Sequence, residues 1–275
     1  MTGVPSWASS LLLRMPAPLR ALRDLPIIGE LIHQVSHFVL PADQMVWAQI
    51  RSGPAQGLWI EVFPRTGQFH VAGDAELPTQ LAIAQRLRPD DVFYDLGANI
   101  VLFSLLAARY VGGSGKVFSF EPDAIIADRL RRNVACNSFS QITVVESGVW
   151  SSTGTLAFTA AGPTSPDRGV GTFLYSRGDA TRTPVRVVCL DDFVRFEPPP
   201  NAIKCDVEGA EIEVLRGAEG LLAAHRPWIL GEMHSQSNDS AWREFLGRFG
   251  YTFSVVDSNH ILALPGRTPQ FAATR

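Results

Sequence analysis

The sequence predicts an α/β fold in which helices cover both faces of a mostly parallel sheet. Three observations carry that expectation. From Glu76 onward, short apolar runs alternate with helical stretches, the pattern of strand–helix units stacked into one sheet. Several runs end on an acid at a turn, as at Asp95, Glu121, Asp206 and Glu232, and such sheets bind ligands at their strand ends. The chain has 275 residues and is 46% hydrophobic, enough for a sizeable core.

The first 72 residues stand outside the alternation and are expected to form a helical and hairpin extension. Ile28, Leu31, Ile32, Val35, Phe38 and Val39 fall at helical spacing and give one apolar stripe. Arg14, Arg20 and Arg23 precede it. Such a stripe packs on the protein's own body, on a second copy in a homodimer, or on a membrane surface. Residues 58–63 and 68–71 read as a short hairpin turned between Pro64 and Gly67.

Residues 73–275 carry the α/β pattern. Residues 92–95 read as a strand, and 100–111 as a helix whose near-uniform apolarity predicts burial. A strand at 116–121, a helix at 124–137 and a strand at 142–149 follow. The rhythm then breaks. Residues 155–159 and 185–190 read as strands around a loop at 162–183 rich in Gly, Ser, Thr and Pro. It resumes with a strand at 202–206, a helix at 210–224, and a strand at 228–232 beyond Pro227. A helix near 240–249 places Trp242, Phe245, Leu246 and Phe249 on one face. Residues 251–256 and 260–264 close the chain as a hairpin turned at Asp257, Ser258 and Asn259.

Composition narrows the function classes. A formal charge of -3 argues against a general nucleic-acid binder, which needs a basic surface. Three cysteines, Cys136, Cys189 and Cys205, form no CxxC pair and read as free thiols in a reducing compartment. No apolar run has the length of a membrane span, and no basic residue precedes Leu11, Leu12 and Leu13 as an export signal requires. A cytoplasmic protein is expected.

At the first strand end, Asp95 is followed by Gly97, which lets the backbone turn into a helix whose free N–H groups can receive an anionic ligand group. Glu121 follows 24 residues after Gly97. A carboxylate there can accept two hydrogen bonds from the ribose of a nucleoside. The turn lacks G-x-G-x-x-G and carries an acid before its glycine. That favours a mononucleoside with a positively charged amino-acid tail over a pyrophosphate. At the fourth strand end, alternation puts Lys204 and Asp206 on one side. Glu208 and Glu211 follow at a helix start, where capping explains Glu211. At the fifth, Glu232 and His234 share a side. Charges at buried strand ends need partners or a task.

The ordered set DLGAN (95–99), FEPD (120–123), LDDF (190–193), IKCDVEGAE (203–211) and EMH (232–234) resembles the FkbM family of S-adenosylmethionine-dependent methyltransferases. The resemblance runs from Gly73 to His234, and Gly73 with Glu76 resembles a family Gly-x-x-Glu. It implies a class I, Rossmann-like methyltransferase fold with a seven-stranded sheet, acting on hydroxyls of sugars, polyketides or related natural products. S-adenosylmethionine is the implied cofactor and a small molecule the acceptor. The implied cofactor-binding residues are Glu76, Asp95, Gly97, Ala98, Asn99, Glu121, Ser147, Gly148 and Asp206. Two places depart from the family pattern: Val101 replaces a usual glycine, and Ser147 to Trp150 replace a stretch nearer Ala-Leu-Ser-Asp.

The expected reaction is O-methyl transfer. The candidate catalytic residues are Asp206, Glu232, His234 and Lys204, with Asp206 ranked first as general base and Lys204 keeping it ionised. No compact metal-ligand motif is present, and no metal is expected. Val101 is tolerable if it sits at negative φ in the first turn of a helix, so the loop is expected to form and the cofactor to bind. Two other classes stay open. One is a degenerate methyltransferase fold serving as a binding module, which Val101 supports. The other is a nicotinamide-dependent oxidoreductase, which the missing G-x-G-x-x-G opposes.

Overall fold

The computed structural model describes residues 45–64, 66–99, 101–160, 171–174 and 182–266. The apolar stripe at 28–39 and most of the loop at 162–183 lie outside the described residues. The chain divides into two compact units between Leu77 and Pro78.

In the first unit, β1 (Val46–Gln49) pairs antiparallel with β2 (Trp59–Val62), in the register Val46 to Val62 and Gln49 to Trp59. The hairpin expected between 58–63 and 68–71 does not form. Gln68–Ala72 is instead a helix, α1. The Gly67 amide donates to the Phe63 carbonyl at 2.8 Å, and the Val71 amide to the Gly67 carbonyl at 3.1 Å, which winds the segment. Four alternating residues could not separate these outcomes, because one buried position, Val71, satisfies either. Gly73 ends α1 at φ 95°, its amide returning to the Phe69 carbonyl at 3.1 Å. Only glycine fits there, since a Cβ would lie 2.2 Å from the Ser52 carbonyl oxygen. Glu76 precedes α2 (Leu77–Arg86) at φ 45°.

The second unit is built on a seven-stranded sheet. Its elements in chain order are β3 (Val92–Leu96), α3 (Leu102–Val111), β4 (Lys116–Phe120), α4 (Ala124–Cys136) and β5 (Ile142–Val145). After β6 (Gly148–Val149), β7 (Gly154–Thr159), β8 (Arg182–Val188) and the short α5 (Leu190–Phe193), the alternation resumes. It continues with β9 (Ala202–Cys205), α6 (Glu211–Arg216), α7 (Glu219–Ala224), β10 (Trp228–Glu232), α8 (Gln236–Gly247), β11 (Tyr251–Val255) and β12 (His260–Pro265). The sheet order is β11-β12-β10-β9-β3-β4-β5. Strands β5, β4, β3, β9 and β10 are parallel, and β12 runs antiparallel to both neighbours. This is the class I methyltransferase sheet that the motifs imply. The central strands are buried on both faces, and β3, β9 and β10 read as apolar runs for that reason. Helix α3 is buried along almost its whole length, as its apolarity predicts.

The expected strand at 142–149 is two strands in two sheets. β5 ends the large sheet, while Gly148 and Val149 pair with Val187 and Val188 in a three-stranded sheet ordered β6-β8-β7. The expected helix at 210–224 is also two. Gly217 closes α6 with its Cα pressed on the Trp150 carbonyl, where a Cβ would come within 2.3 Å. α7 then restarts under a cap from another part of the chain. Asp191 accepts the amides of Gly220 at 2.9 Å and Leu221 at 2.7 Å, satisfying N–H groups that a helix start leaves open. Helix α8 begins earlier than expected because Ser235 caps it, accepting the Asn238 amide at 3.1 Å.

Candidate active site

The ends of β3, β4 and β9 surround a solvent-open cleft of about 580 Å³. Gly97 and Asn99 line it from the turn after β3, Glu121 from the end of β4, and Asp206 and Glu208 from the end of β9. Ser147, Gly148, Phe158 and Phe173 form a further wall.

The turn after β3 sets this geometry. Gly97 sits at φ 77°, and a Cβ there would lie 1.8 Å from the Asp206 carbonyl oxygen. Both conformation and space therefore demand glycine. The turn's first amides are not left open for an anionic group as expected. Gly97 and Ala98 both donate to the Phe120 carbonyl, at 3.1 and 3.0 Å, and Asn99 donates to Glu121 Oε2 at 3.1 Å. The cause is register: Leu96 lies opposite Phe120 in the parallel β3–β4 ladder, so the turn folds onto the end of β4.

Val101 also differs from expectation. It caps α3 at φ 86° and ψ -5°, in the left-handed region, not at helical φ. Its amide donates to the Ala98 carbonyl at 2.9 Å, and its carbonyl accepts the Leu105 amide at 3.0 Å, so it closes one turn and opens the next. A β-branched residue held there stores about 1–3 kcal/mol. Its side chain is fully buried and is not part of the cleft lining. It therefore does not crowd a ligand.

Glu121 is the residue best suited to a ribose. Its Oε1 accepts the Asp123 amide at 2.9 Å and its Oε2 the Asn99 amide at 3.1 Å. One backbone donor on each oxygen fixes the carboxyl and leaves a lone pair on each for a vicinal diol. Burial pushes its pKa up to about 8, with the Asp123 and Asn99 amides opposing the rise. Asp95 and Ala98 are buried and do not line the cleft. Asp95 is fully buried and accepts from Ser104 Oγ of α3 at 2.5 Å. On the opposite wall, Ser147 Oγ donates to the Arg186 carbonyl at 3.1 Å. Gly148 is pressed on the Phe173 ring, where a Cβ would come within 2.5 Å.

At the end of β9, Lys204 Nζ lies 3.0 Å from Asp206 Oδ2. His234 Nε2 lies 3.4 Å from both Asp206 Oδ1 and Glu211 Oε1. Burial pushes the Asp206 pKa up, but Lys204 and His234 outweigh it and hold the carboxyl well below the usual carboxylate range. The hydrogen bond to Asp206, with Glu211 and Glu208 nearby, raises His234 to about 9 against the opposing effect of burial. Glu211 is fully buried and organises the loop, accepting the amides of Val207 at 3.2 Å and Gly209 at 3.1 Å, and Asn238 Nδ2 at 2.7 Å.

Donor atoms of Asp206, Glu232 and His234 all lie within 4.8 Å of one another. That spacing would admit a metal ion, although Lys204 and His234 already bring positive charge against Asp206. Lys204, Asp206, Glu232 and His234, expected at the ends of β9 and β10, thus lie close together. Asp257 and His260, which the sequence shows only as a turn and a strand start, adjoin them. The β10–β12 register places His260 directly opposite Glu232, and only strand pairing could reveal that.

The residues 95–253 match the model of the methyltransferase FkbM domain. The chain is 30% identical over 211 residues to the methyltransferase sdnD of Sordaria araneosa, covering 66% of this chain and 75% of that protein. It is 30% identical over 156 residues to the hexuronic acid methyltransferase AglP of Haloferax volcanii, covering 56% of this chain and 60% of AglP. Among solved structures, the methyltransferase FkbM of Methylobacillus flagellatus aligns at a TM-score of 0.45 and 23% identity, over 71% of this chain and 51% of that one. S-adenosylmethionine is the methyl donor of the family, and the buried, amide-fixed Glu121 facing an open cleft fits its ribose. The match covers more than half of the sequence, and the chain belongs to the FkbM methyltransferase family.

Proposed function

We propose that the chain is an O-methyltransferase that methylates a hydroxyl of a small molecule, with sugars and hexuronic acids the first classes to test. The observation that carries this reading is that Glu121 and Asp206, from the two strands flanking β3, line one cleft. A nucleoside held at Glu121 would have its reactive end directed toward the Asp206 side. The hexuronic acid suggestion comes from the similarity to AglP. The three free cysteines suit a reducing setting such as the cytoplasm. Among the described residues, no helix is long and apolar enough to cross a membrane.

S-adenosylmethionine supplies, when bound, a methyl group on a positively charged sulfur. Glu121 would hold the ribose, with Gly97 and Asn99 shaping the turn beside it. Ser147, Gly148, Phe158 and Phe173 would flank the base. Asp206, kept anionic by Lys204 and His234, would favour the positive charge of the donor. Those same two cations make Asp206 a weak proton acceptor, and His234 already carries a proton near neutral pH. Glu232 is the remaining group of the cluster, and it takes the acceptor's hydroxyl proton as general base in this reading. Most of the rate would come from positioning two substrates in line. A degenerate, non-catalytic fold loses its sequence support, because Val101 lies outside the cleft lining.

The test begins with calorimetry of the full chain against S-adenosylhomocysteine and NADH. Binding of the first and not the second is expected. Turnover is then read by mass spectrometry with S-adenosylmethionine and two probes, p-nitrophenyl β-glucuronide and the neutral β-glucoside, with a chelated control. A product 14 mass units heavier (one CH₂) and stable to mild alkali is an ether and supports hydroxyl transfer. An alkali-labile product is an ester and rejects it. Absence of heat with S-adenosylhomocysteine rejects the enzyme reading itself.

A further inference from the structure

We infer that His260 and Asp257 form a positioning pair that holds the carboxylate of Glu232 for proton transfer. The inference rests on the reading of Glu232 as the general base. Three observations carry it, and both members of the pair lie beyond the family-matched residues 95–253.

The first is register. In the antiparallel β10–β12 pair, Glu232 and His260 are directly opposite partners, so their side chains leave the sheet on the same side, within reach of each other. His260 Nε2 lies 3.6 Å from Glu232 Oε2. The second is the far side of the ring. His260 Nδ1 lies 2.8 Å from Asp257 Oδ1, and the same oxygen accepts the backbone amides of Asn259 at 3.0 Å and His260 at 2.9 Å. Three donors on one oxygen fix the carboxylate, and it in turn fixes the tautomer and the plane of the ring. The third is burial. The His260 side chain is 5% exposed, while Glu232 at 21% still reaches the solvent side.

A hairpin turn needs no histidine for its own closure, because the two backbone amides already satisfy Asp257. What the imidazole adds is a second nitrogen aimed at Glu232. With Nδ1–H given to Asp257, a bare Nε2 would set a lone pair against a carboxylate oxygen. The contact is favourable when Nε2 carries a proton, so the ring sits between two carboxylates as a cation and meets Glu232 as an ion pair at 3.6 Å. This one longer contact opposes proton uptake less than the two shorter ones at Asp206, 3.0 Å to Lys204 and 3.4 Å to His234. This arrangement restricts Glu232 to one orientation. In the reaction, the acceptor's O–H bond breaks as its oxygen forms a bond to the methyl carbon and the carbon–sulfur bond breaks. The proton passes to Glu232, giving the methyl ether, S-adenosylhomocysteine and a protonated carboxyl that His260 continues to orient.

The test has two arms. The first uses the full chain with ¹⁵N-labelled histidine and long-range ¹H–¹⁵N correlation spectra, with His260 assigned by its disappearance in His260→Gln. Both ring nitrogens should be protonated in the native protein, and Nε2 should lose its proton in Glu232→Gln. A neutral ring with bare Nε2 in the native protein would overturn the pairing, whatever the acceptor. The second arm reads turnover of the probe methylated in the function test. His260→Ala should lower kcat on the order of 10–100-fold, below the ~10²–10⁴-fold typical of a base itself, with KM for both substrates within about twofold. His260→Gln, which keeps a donor on that side, should recover part of the loss. Unchanged kcat in a folded His260→Ala variant also overturns the inference. If neither probe is methylated, the acceptor reading fails on its own, and the spectra alone decide the pairing.

Discussion

The α-carbon of Gly97 sits against the backbone carbonyl of Asp206, so closely that a Cβ would stand 1.8 Å from the oxygen. One contact thus joins the turn expected to hold the cofactor to the strand end expected to carry charge to the reaction.

Gly97→Ala should therefore damage both. Clash with backbone cannot be relieved by a rotamer change, and φ 77° adds strain. Overpacking of this kind costs about 1–3 kcal/mol. We expect a lower melting temperature together with loss of S-adenosylhomocysteine binding by calorimetry. A variant that melts and binds like the native protein would show that this contact supports neither the fold nor the cofactor turn.

Cofactor affinity should depend on the ionisation of Glu121. Burial raises its pKa to about 8, so the free protein holds it protonated near neutrality. Ribose hydroxyls donating to both oxygens favour the ionised form, and binding below pH 8 must release a proton. Affinity should rise from pH 6 to about 8 and flatten above it. Calorimetry in buffers of different ionisation enthalpy measures the released proton directly, and Glu121→Gln should abolish it. Glu121→Ala should weaken binding by roughly 1.5–3 kcal/mol, the scale of hydrogen bonds to charged groups. The same shift has a stability consequence. A folded-state pKa above the ordinary value favours folding at low pH, and that contribution should be lost as pH rises through about 8.

Val101 supplies a backbone test. Val101→Gly removes a fully buried side chain but relieves φ 86°. Val117→Gly removes the same side chain from the interior of β4, also fully buried, with no strain to relieve. Glycine costs a strand interior about 0.5–1 kcal/mol, and strain relief at Val101 returns about 1–3 kcal/mol. Val117→Gly should thus be the more destabilising by roughly 1.5–4 kcal/mol in urea titrations. Equal losses would mean that Val101 stores no strain.

Asp191 offers a change remote from the proposed chemistry. It caps α7 by accepting the amides of Gly220 and Leu221. Asp191→Ala should cost ~1 kcal/mol, a fall of about 2–4 °C in melting temperature for a unit of this size. Binding of S-adenosylhomocysteine should be preserved. A drop in affinity would show that α5 and α7 are coupled to the cleft.

The sequence by itself determined the α/β plan, because alternation of apolar runs with helical stretches is a local pattern that burial on both faces of a sheet imposes. It also placed Glu121, Lys204, Asp206, Glu232 and His234 at strand ends, since turns and acids there are read along the chain. Tertiary structure decided what periodicity does not encode. Residues 68–72 had too few positions to choose strand or helix until the carbonyls of Phe63 and Gly67 accepted the amides of Gly67 and Val71. The left-handed φ of Val101 follows from how the turn closes between Ala98 and Leu105. The turn amides went to Phe120 and Glu121 because β3 and β4 lie in that register. Lys204 beside Asp206 was readable from alternation along β9, whereas His234 reached Asp206 only through the pairing of β9 with β10. His260 reached Glu232 through pairing of strands 28 residues apart in sequence. Each of these outcomes depends on contacts between distant segments, and no local pattern of residue types specifies such contacts.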